Sequence, residues 1–106
     1  MDTEIETYTV ERDNERDITF TGERIGFGTS RTPYKDDRWT ELSLYKTKGG
    51  KFVCSEIGYT KWQGEQTRYK AEVCETTEEV VEFFGHGWVS KELYSDAGID
   101  TAINID

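Results

Sequence analysis

The chain has 106 residues, enough for one domain and one core, and its hydrophobic share of 34% stands against an aromatic share of 13%, so a few large rings must supply much of the burial. Its net charge of -9 repels bare nucleic acid, and no apolar run reaches membrane-spanning length. Cys54 and Cys74 form neither a C-x-x-C motif nor a disulfide framework, and Met1-Asp2-Thr3-Glu4 lacks the basic and apolar regions of a signal peptide, so the expectation is a soluble cytoplasmic protein with reduced thiols.

In chain order, Glu4 to Val10 reads either as an edge strand or, with the polar run Glu11 to Asp17, as part of a disordered segment over residues 1–16. Residues 17–29 set Ile18, Phe20, Ile25 and Phe27 among threonines and glycines, the pattern of two short strands or one bent strand. Gly26-Phe27-Gly28 has no helix behind it to aim amides at a phosphate and reads as a bend or bulge. Thr32-Pro33-Tyr34-Lys35-Asp36-Asp37 is the expected loop before a central hairpin over residues 39–59.

Trp39-Thr40-Glu41-Leu42-Ser43-Leu44-Tyr45 has the period-2 pattern of a strand, and Lys48-Gly49-Gly50-Lys51 turns it into Phe52-Val53-Cys54. With Lys48-Gly49 as the turn pair, Thr47 meets Gly50, Leu44 meets Val53, Leu42 meets Ser55 and Thr40 meets Ile57. Leu42, Leu44, Val53, Ile57 and Tyr59 then share the expected core face. The opposite face carries Trp39, Tyr45, Phe52 and Cys54 and needs a cover, either the N-terminal strands or the partner of a homodimer. Trp39, Tyr45 and Phe52 are therefore the candidate oligomer face.

The connection Lys61-Trp62-Gln63-Gly64-Glu65 leads to a strand over Thr67 to Cys74. Closing symmetrically about Gly64 sets Glu56 against Glu72, a destabilising like-charge pair, whereas a slip of two residues sets Glu56 against Lys70 and Val53 against Val73. The second register is preferred, and it leaves the two cysteines diagonal, close and unbonded. Thr76-Thr77-Glu78-Glu79 matches a capping box opening a helix with a Val80, Phe83, Phe84 stripe that stops at Gly85 and Gly87. A second short helix starts at Ser90, runs through Leu93, Tyr94 and Ala97, and ends at a Gly98 cap with Ile99 as its apolar contact. The tail Thr101 to Asp106 alternates weakly. The fold class is α+β: one domain over residues 1–106, a single antiparallel sheet of about four to six strands, then one or two short C-terminal helices packed on one face.

The string from Glu41 through Tyr45, Thr47, Gly49 and Gly50 to Val53 resembles the core hairpin of the EXLDI proteins, small uncharacterised microbial domains. Phe20-Thr21-Gly22 ahead of the hairpin and Glu92-Leu93-Tyr94 ahead of the tail extend the resemblance over residues 18–106. Where the family name expects Glu-x-Leu-Asp-Ile, the tail has Thr101-Ala102-Ile103-Asn104-Ile105, without either carboxylate. Some relatives carry an N-terminal segment resembling a ribbon-helix-helix DNA-binding unit, and nothing here matches it. The resemblance implies a fold and assigns no activity.

No residue pattern names a reaction, a metal or a cofactor. His86, the only histidine, lies between glycines with no acid or nucleophile at a fixed spacing, and Cys54 and Cys74 sit in strand patterns as small hydrophobes. Glu75 with Glu79 and Glu78 with Glu82 lie one helical turn apart, more simply a solvated face than a proton-sharing pair. Tyr59 and Trp62, interleaved with Lys61, Arg68 and Lys70, can stack a base or grip a partner, although strand aromatics are more often core.

Charge is segregated along the chain. Residues 1–17 hold seven acids against Arg12 and Arg16, a balance of -5; residues 31–70 hold nine bases against five acids; from Glu72 onward nine acids face only Lys91. The leading functional expectation is a non-enzymatic protein-binding or regulatory module, with Glu75, Glu78, Glu79, Glu82, Trp62 and Trp88 as candidate partner-binding residues and no direct contact with nucleic acid. One alternative is an acidic inhibitor that imitates nucleic acid, its N-terminal and helix acids forming one strip opposite the basic hairpin and holding a basic nucleic-acid-binding protein. The other is a small enzyme using His86 in a pocket between helix and hairpin.

Overall fold

A computed structural model describes residues 5–32, 36–103 and 105. Five antiparallel strands follow one another in the sheet in chain order: β1 (Glu6–Val10), β2 (Ile18–Thr29), β3 (Arg38–Thr47), β4 (Phe52–Thr60) and β5 (Arg68–Cys74). Helices α1 (Thr77–Phe84) and α2 (Trp88–Ala97) complete the expected α+β arrangement. The N-terminal segment is an edge strand from Glu6 onward, and residues 18–29 form one long strand. Pro33 to Lys35 of the expected loop and Asn104 and Asp106 of the expected tail lie outside the described residues.

The central hairpin pairs one residue off the expected register, with Leu44 opposite Cys54, Leu42 opposite Glu56 and Thr40 opposite Gly58. The turn holds three residues, not two: Thr47 N–H donates to Lys51 O at 2.8 Å, and Gly50 N–H donates to Thr47 O at 2.9 Å. Gly50, with φ 92°, takes the left-handed position that closes a three-residue hairpin loop, and the Thr47 hydroxyl accepts from Lys51 N–H at 2.9 Å. A slip of one residue exchanges faces. Val53, Ile57 and Tyr59 therefore join Trp39 and Tyr45, while Phe52 and Cys54 join Leu42 and Leu44; Phe52 does not belong to the face assigned to it from sequence.

The β4–β5 register is the one that avoids a like-charge pair, with Glu56 opposite Lys70 and Val53 opposite Val73. Cys54 and Cys74 lie diagonal with sulfurs 3.6 Å apart, both free and buried.

Helix α1 is capped at both ends, by its own first turn and by side chains of α2. Thr76 Oγ1 accepts from Glu79 N–H at 3.2 Å, and the Glu79 carboxylate reaches back to Glu75 N–H at 2.7 Å, one residue before the expected capping-box partner. At the other end of α1, the Ser90 hydroxyl donates to Phe84 O and the Tyr94 hydroxyl to Gly85 O, each at 2.7 Å, which satisfies carbonyls that a helix terminus leaves unpaired. Ser90 thus serves α1, and α2 starts two residues earlier than expected with Gly87 as its N-cap. It ends as expected: Gly98 is left-handed at φ 76°, and Ile99 N–H donates to Tyr94 O at 2.9 Å.

One face of the sheet meets the helices. Leu42, Leu44, Cys54, Cys74, Val80, Phe84, Leu93 and Tyr94 form its core, each large apolar side chain contributing about 1.5–3 kcal/mol on burial. A register shift between Arg24 and Gly26 makes the expected bulge, and its extra residue, Ile25, packs into this core. Gly26 and Gly28 then form a seat for α2. A Cβ on Gly28 would lie 2.5 Å from Val89 O, and one on Gly26 would lie 3.0 Å from the Ala97 Cβ.

The other face curls over itself. Strands two apart in a flat sheet are about 10 Å apart, yet the Tyr8 ring on β1 lies 4.8 Å from the Tyr45 ring on β3, with Phe20 completing the cluster at 5.5 and 5.1 Å. At the tip of the β1–β2 hairpin, Asp13 N–H donates to Tyr69 O and Tyr69 N–H donates to Asp13 Oδ2, both at 2.9 Å. Val10 packs with Val53 and Ala71 beneath it. Of the two covers considered for Tyr45, the N-terminal hairpin is the one present.

Gly28→Ala should lower stability by about 2 kcal/mol, because the added methyl overpacks a backbone carbonyl that cannot move alone. Urea denaturation checks this against Gly58→Ala, whose methyl meets nothing within 4 Å and should change stability little.

Candidate functional site

The curl leaves one end of the sheet open, where the start of β3, the end of β4 and the start of β5 surround a groove of about 970 Å³. Trp39 and Tyr59 are a cross-strand pair on the inner face, stacked with centroids 5.1 Å apart at 20°. The Arg31 guanidinium lies 4.4 Å and the Lys61 ammonium 5.8 Å from the Trp39 ring centroid, within the range in which the ring quadrupole attracts a cation. The indole N–H of Trp39 donates to Glu41 at 3.2 Å. Burial, and then the Glu41 charge, push the Tyr59 phenol up from its ordinary pKa, so it stays a neutral hydrogen-bonding group.

The β4–β5 loop is braced by side chains. Arg38 Nε donates to Glu65 Oε1 at 2.9 Å, with a second bond between Nη2 and Oε2; the Thr60 hydroxyl donates to the same carboxylate at 2.6 Å and accepts from Trp62 N–H at 3.0 Å. Gly64, at φ 91°, makes the tight turn. Arg38 also lies 5.3 Å from the Trp62 ring centroid, and Trp62 is 52% exposed. Arg68 lines the groove from β5.

The sequence grouped Tyr59, Trp62, Lys61, Arg68 and Lys70; the structure brings the first four to this end of the sheet, whereas Lys70 lies beside Phe83 of α1 at the smaller groove. To the four it adds Trp39, Arg31, Arg38 and Glu65. The Arg38–Thr60 and Trp39–Tyr59 pairings follow once the hairpin register is right, whereas Arg31 reaches Trp39 from the preceding loop by a fold-back that no local pattern announces.

The other expected site residues lie elsewhere. Trp88 is 62% exposed at the start of α2. Glu75, Glu78, Glu79 and Glu82 are exposed on or just before α1; Glu79 and Glu82 border a smaller groove of about 390 Å³ with Lys70, Glu72, Val73 and Phe83. The basic hairpin tip adjoins the helix acids instead of standing opposite them, since Lys51 pairs with Glu75 at 3.2 Å. The N-terminal acids belong to another part of the surface, where Asp13 holds Tyr69 and Glu15 pairs with Arg12 at 2.9 Å. His86 is exposed between the helices and lines neither groove. Burial drives the Cys54 thiol far above its ordinary pKa and raises that of Cys74, which keeps both protonated and poorly nucleophilic. Among the described residues, no group of three or more His, Cys, Asp and Glu side chains is placed to hold a metal ion.

No family model, curated protein or solved structure matches this chain.

Hydrogen bonds from Arg38 and Thr60 hold the Glu65 carboxyl down at about 2, against an ordinary 4.5. A depressed carboxyl contributes its stability above the ordinary value and loses it as pH falls toward the folded one. Carboxyl-detected NMR should place the Glu65 midpoint near 2 in the wild type and move it up in Arg38→Gln; an unchanged midpoint in the variant would show that Arg38 does not carry the shift.

Proposed function

We propose that the chain is a small non-enzymatic protein-binding module of the cytoplasm whose contact surface is the open end of the sheet. The supporting observation is the collection of Trp39, Tyr59, Arg38 and Arg68 on one groove, with Arg31 against Trp39 and Trp62 against Arg38, because tryptophan, tyrosine and arginine dominate the energetics of protein interfaces. Most of these groups are already held by stacking or ion pairing, which lowers the entropy lost when a partner orders them. The likeness of the central hairpin to EXLDI proteins is compatible with this reading and adds no activity to it.

Imitation of nucleic acid by the acidic segments ranks second. It draws support from the net charge of -9 and loses some from Lys51 beside Glu75, which breaks the negative surface next to α1. Acid or base chemistry at His86 draws no support from its exposed position outside both grooves.

The test is capture from an extract of the native host on immobilised wild-type chain and on Trp62→Ala. A protein held by the wild type should be retained about thirtyfold less by the variant if Trp62 is a hot spot. Equal retention would place the interface elsewhere.

A further inference from the structure

The outer edge of β1 is an unpaired strand edge, and its hydrogen-bonding phase follows from the structure. Lys48 N–H donates to Thr21 O at 2.8 Å, so the backbone groups of Thr21 face β3 and those of its neighbours Phe20 and Gly22 face β1. Phe20 is opposite Tyr8, and Gly22 is opposite Glu6. The hydrogen-bonded pairs of this ladder are thus Glu6 with Gly22, Tyr8 with Phe20 and Val10 with Ile18. Side chains agree: Thr9 and Thr19 hydroxyls approach to 3.0 Å and those of Thr7 and Thr21 to 3.4 Å, the closer spacing of non-hydrogen-bonded antiparallel pairs. The N–H and C=O groups of Thr7 and Thr9 therefore point away from the sheet. Among the described residues nothing bonds to them, and both threonines are exposed.

The opposite edge of the sheet is covered over its first half, although Val73 further along is 48% exposed. Asp13 holds both backbone groups of Tyr69, and Ala71, the next residue of the same phase, is 3% exposed. Soluble proteins commonly guard an open edge with lysine, proline or a bulge, and Ile5 to Val10 contains neither of those residues. Its flanking charges, Glu6 and Glu11, are both acidic and exposed.

We infer that the outer edge of β1 is a docking edge for an extended, lysine- or arginine-bearing segment of another protein, which adds to the sheet as one more strand. Paired through Thr7 and Thr9, such a segment sets one basic side chain beside Glu6 and another beside Glu11, with an apolar side chain between them against the half-buried Tyr8 ring. Charge selects this occupant over a second copy. Residues 5–17 carry five acids against Arg12 and Arg16, and edge-to-edge pairing of two copies gathers both sets along one seam.

The test uses the full chain and the blocked peptide TKTVTTKT, with TETVTTET as control, read by residue-resolved amide hydrogen exchange. The lysine peptide should slow exchange at Thr7 and Thr9 about tenfold or more, less so as salt rises, and the glutamate peptide should not. Thr9→Pro removes an outward N–H that the monomer does not use and should abolish the slowing at Thr7. Reversing both charges in the Glu6→Lys, Glu11→Lys double variant should transfer the preference to the glutamate peptide. The inference is overturned by no slowing at saturating lysine peptide, by equal slowing with both peptides, or by strong protection of Thr7 and Thr9 in the free protein, which would mean that a second copy or another part of the chain already holds the edge.

Discussion

A sheet that is apolar on both faces, with two short helices among the described residues to cover it, is the constraint from which this architecture follows. The helices cover Leu42, Leu44, Cys54 and Cys74. Among the described residues, the sheet itself covers Tyr45, Val53 and Ala71: the β1–β2 hairpin curls across and brings Val10, Phe20 and Tyr8 onto them. The Asp13–Tyr69 bonds alone do not drive this curl, since each contributes about 1 kcal/mol net against roughly 25 cal/mol for every Å² of apolar surface removed from water. Their role is to fix where the hairpin tip lands, and in doing so they occupy the backbone groups of Tyr69.

Both candidate surfaces are consequences of that curl. Rolling the sheet lands the hairpin tip on Tyr69 at the border of the groove that stays open between the start of β3, the end of β4 and the start of β5, where Trp39 lies between Tyr59 and Arg31. Each such cation contact is worth about 0.5–1 kcal/mol at an exposed position, enough to order a side chain and too little to make the fold depend on it. Rolling also leaves β1 without a strand on its outer side among the described residues. A fully closed barrel would have hidden this edge and removed the groove; a flat sheet would have exposed Tyr45 and Val53.

Much of the frame was legible in the sequence, for reasons specific to certain residues. The β4–β5 register could be read because the alternative placed Glu56 against Glu72, and the α1 start because Thr76 and Glu79 have no other common role at that spacing. The β3–β4 register was misread by one residue because three successive positions, Lys48-Gly49-Gly50, allow two turn lengths. The deciding features are the left-handed Gly50 and the Thr47 hydroxyl, both properties of the folded turn. Gly26 and Gly28 announced a bulge but not the helix seat, since the atoms that forbid a Cβ there belong to Val89 and Ala97, far along the chain. The curl was legible only as one of two covers for the second face, and where it lands was not: it joins Asp13 to Tyr69, and no local pattern connects two positions so distant in sequence.

The most direct measurement of the curl is the nuclear Overhauser contact between the rings of Tyr8 and Tyr45 in the intact protein at low concentration. Strong cross-peaks between these rings, whose centroids lie 4.8 Å apart, together with a Tyr69 amide protected from exchange, are the predicted result. Absence of those cross-peaks, while the Trp39–Tyr59 and Glu56–Lys70 cross-strand contacts persist, would mean that the inner face is open and that the sheet does not cover itself.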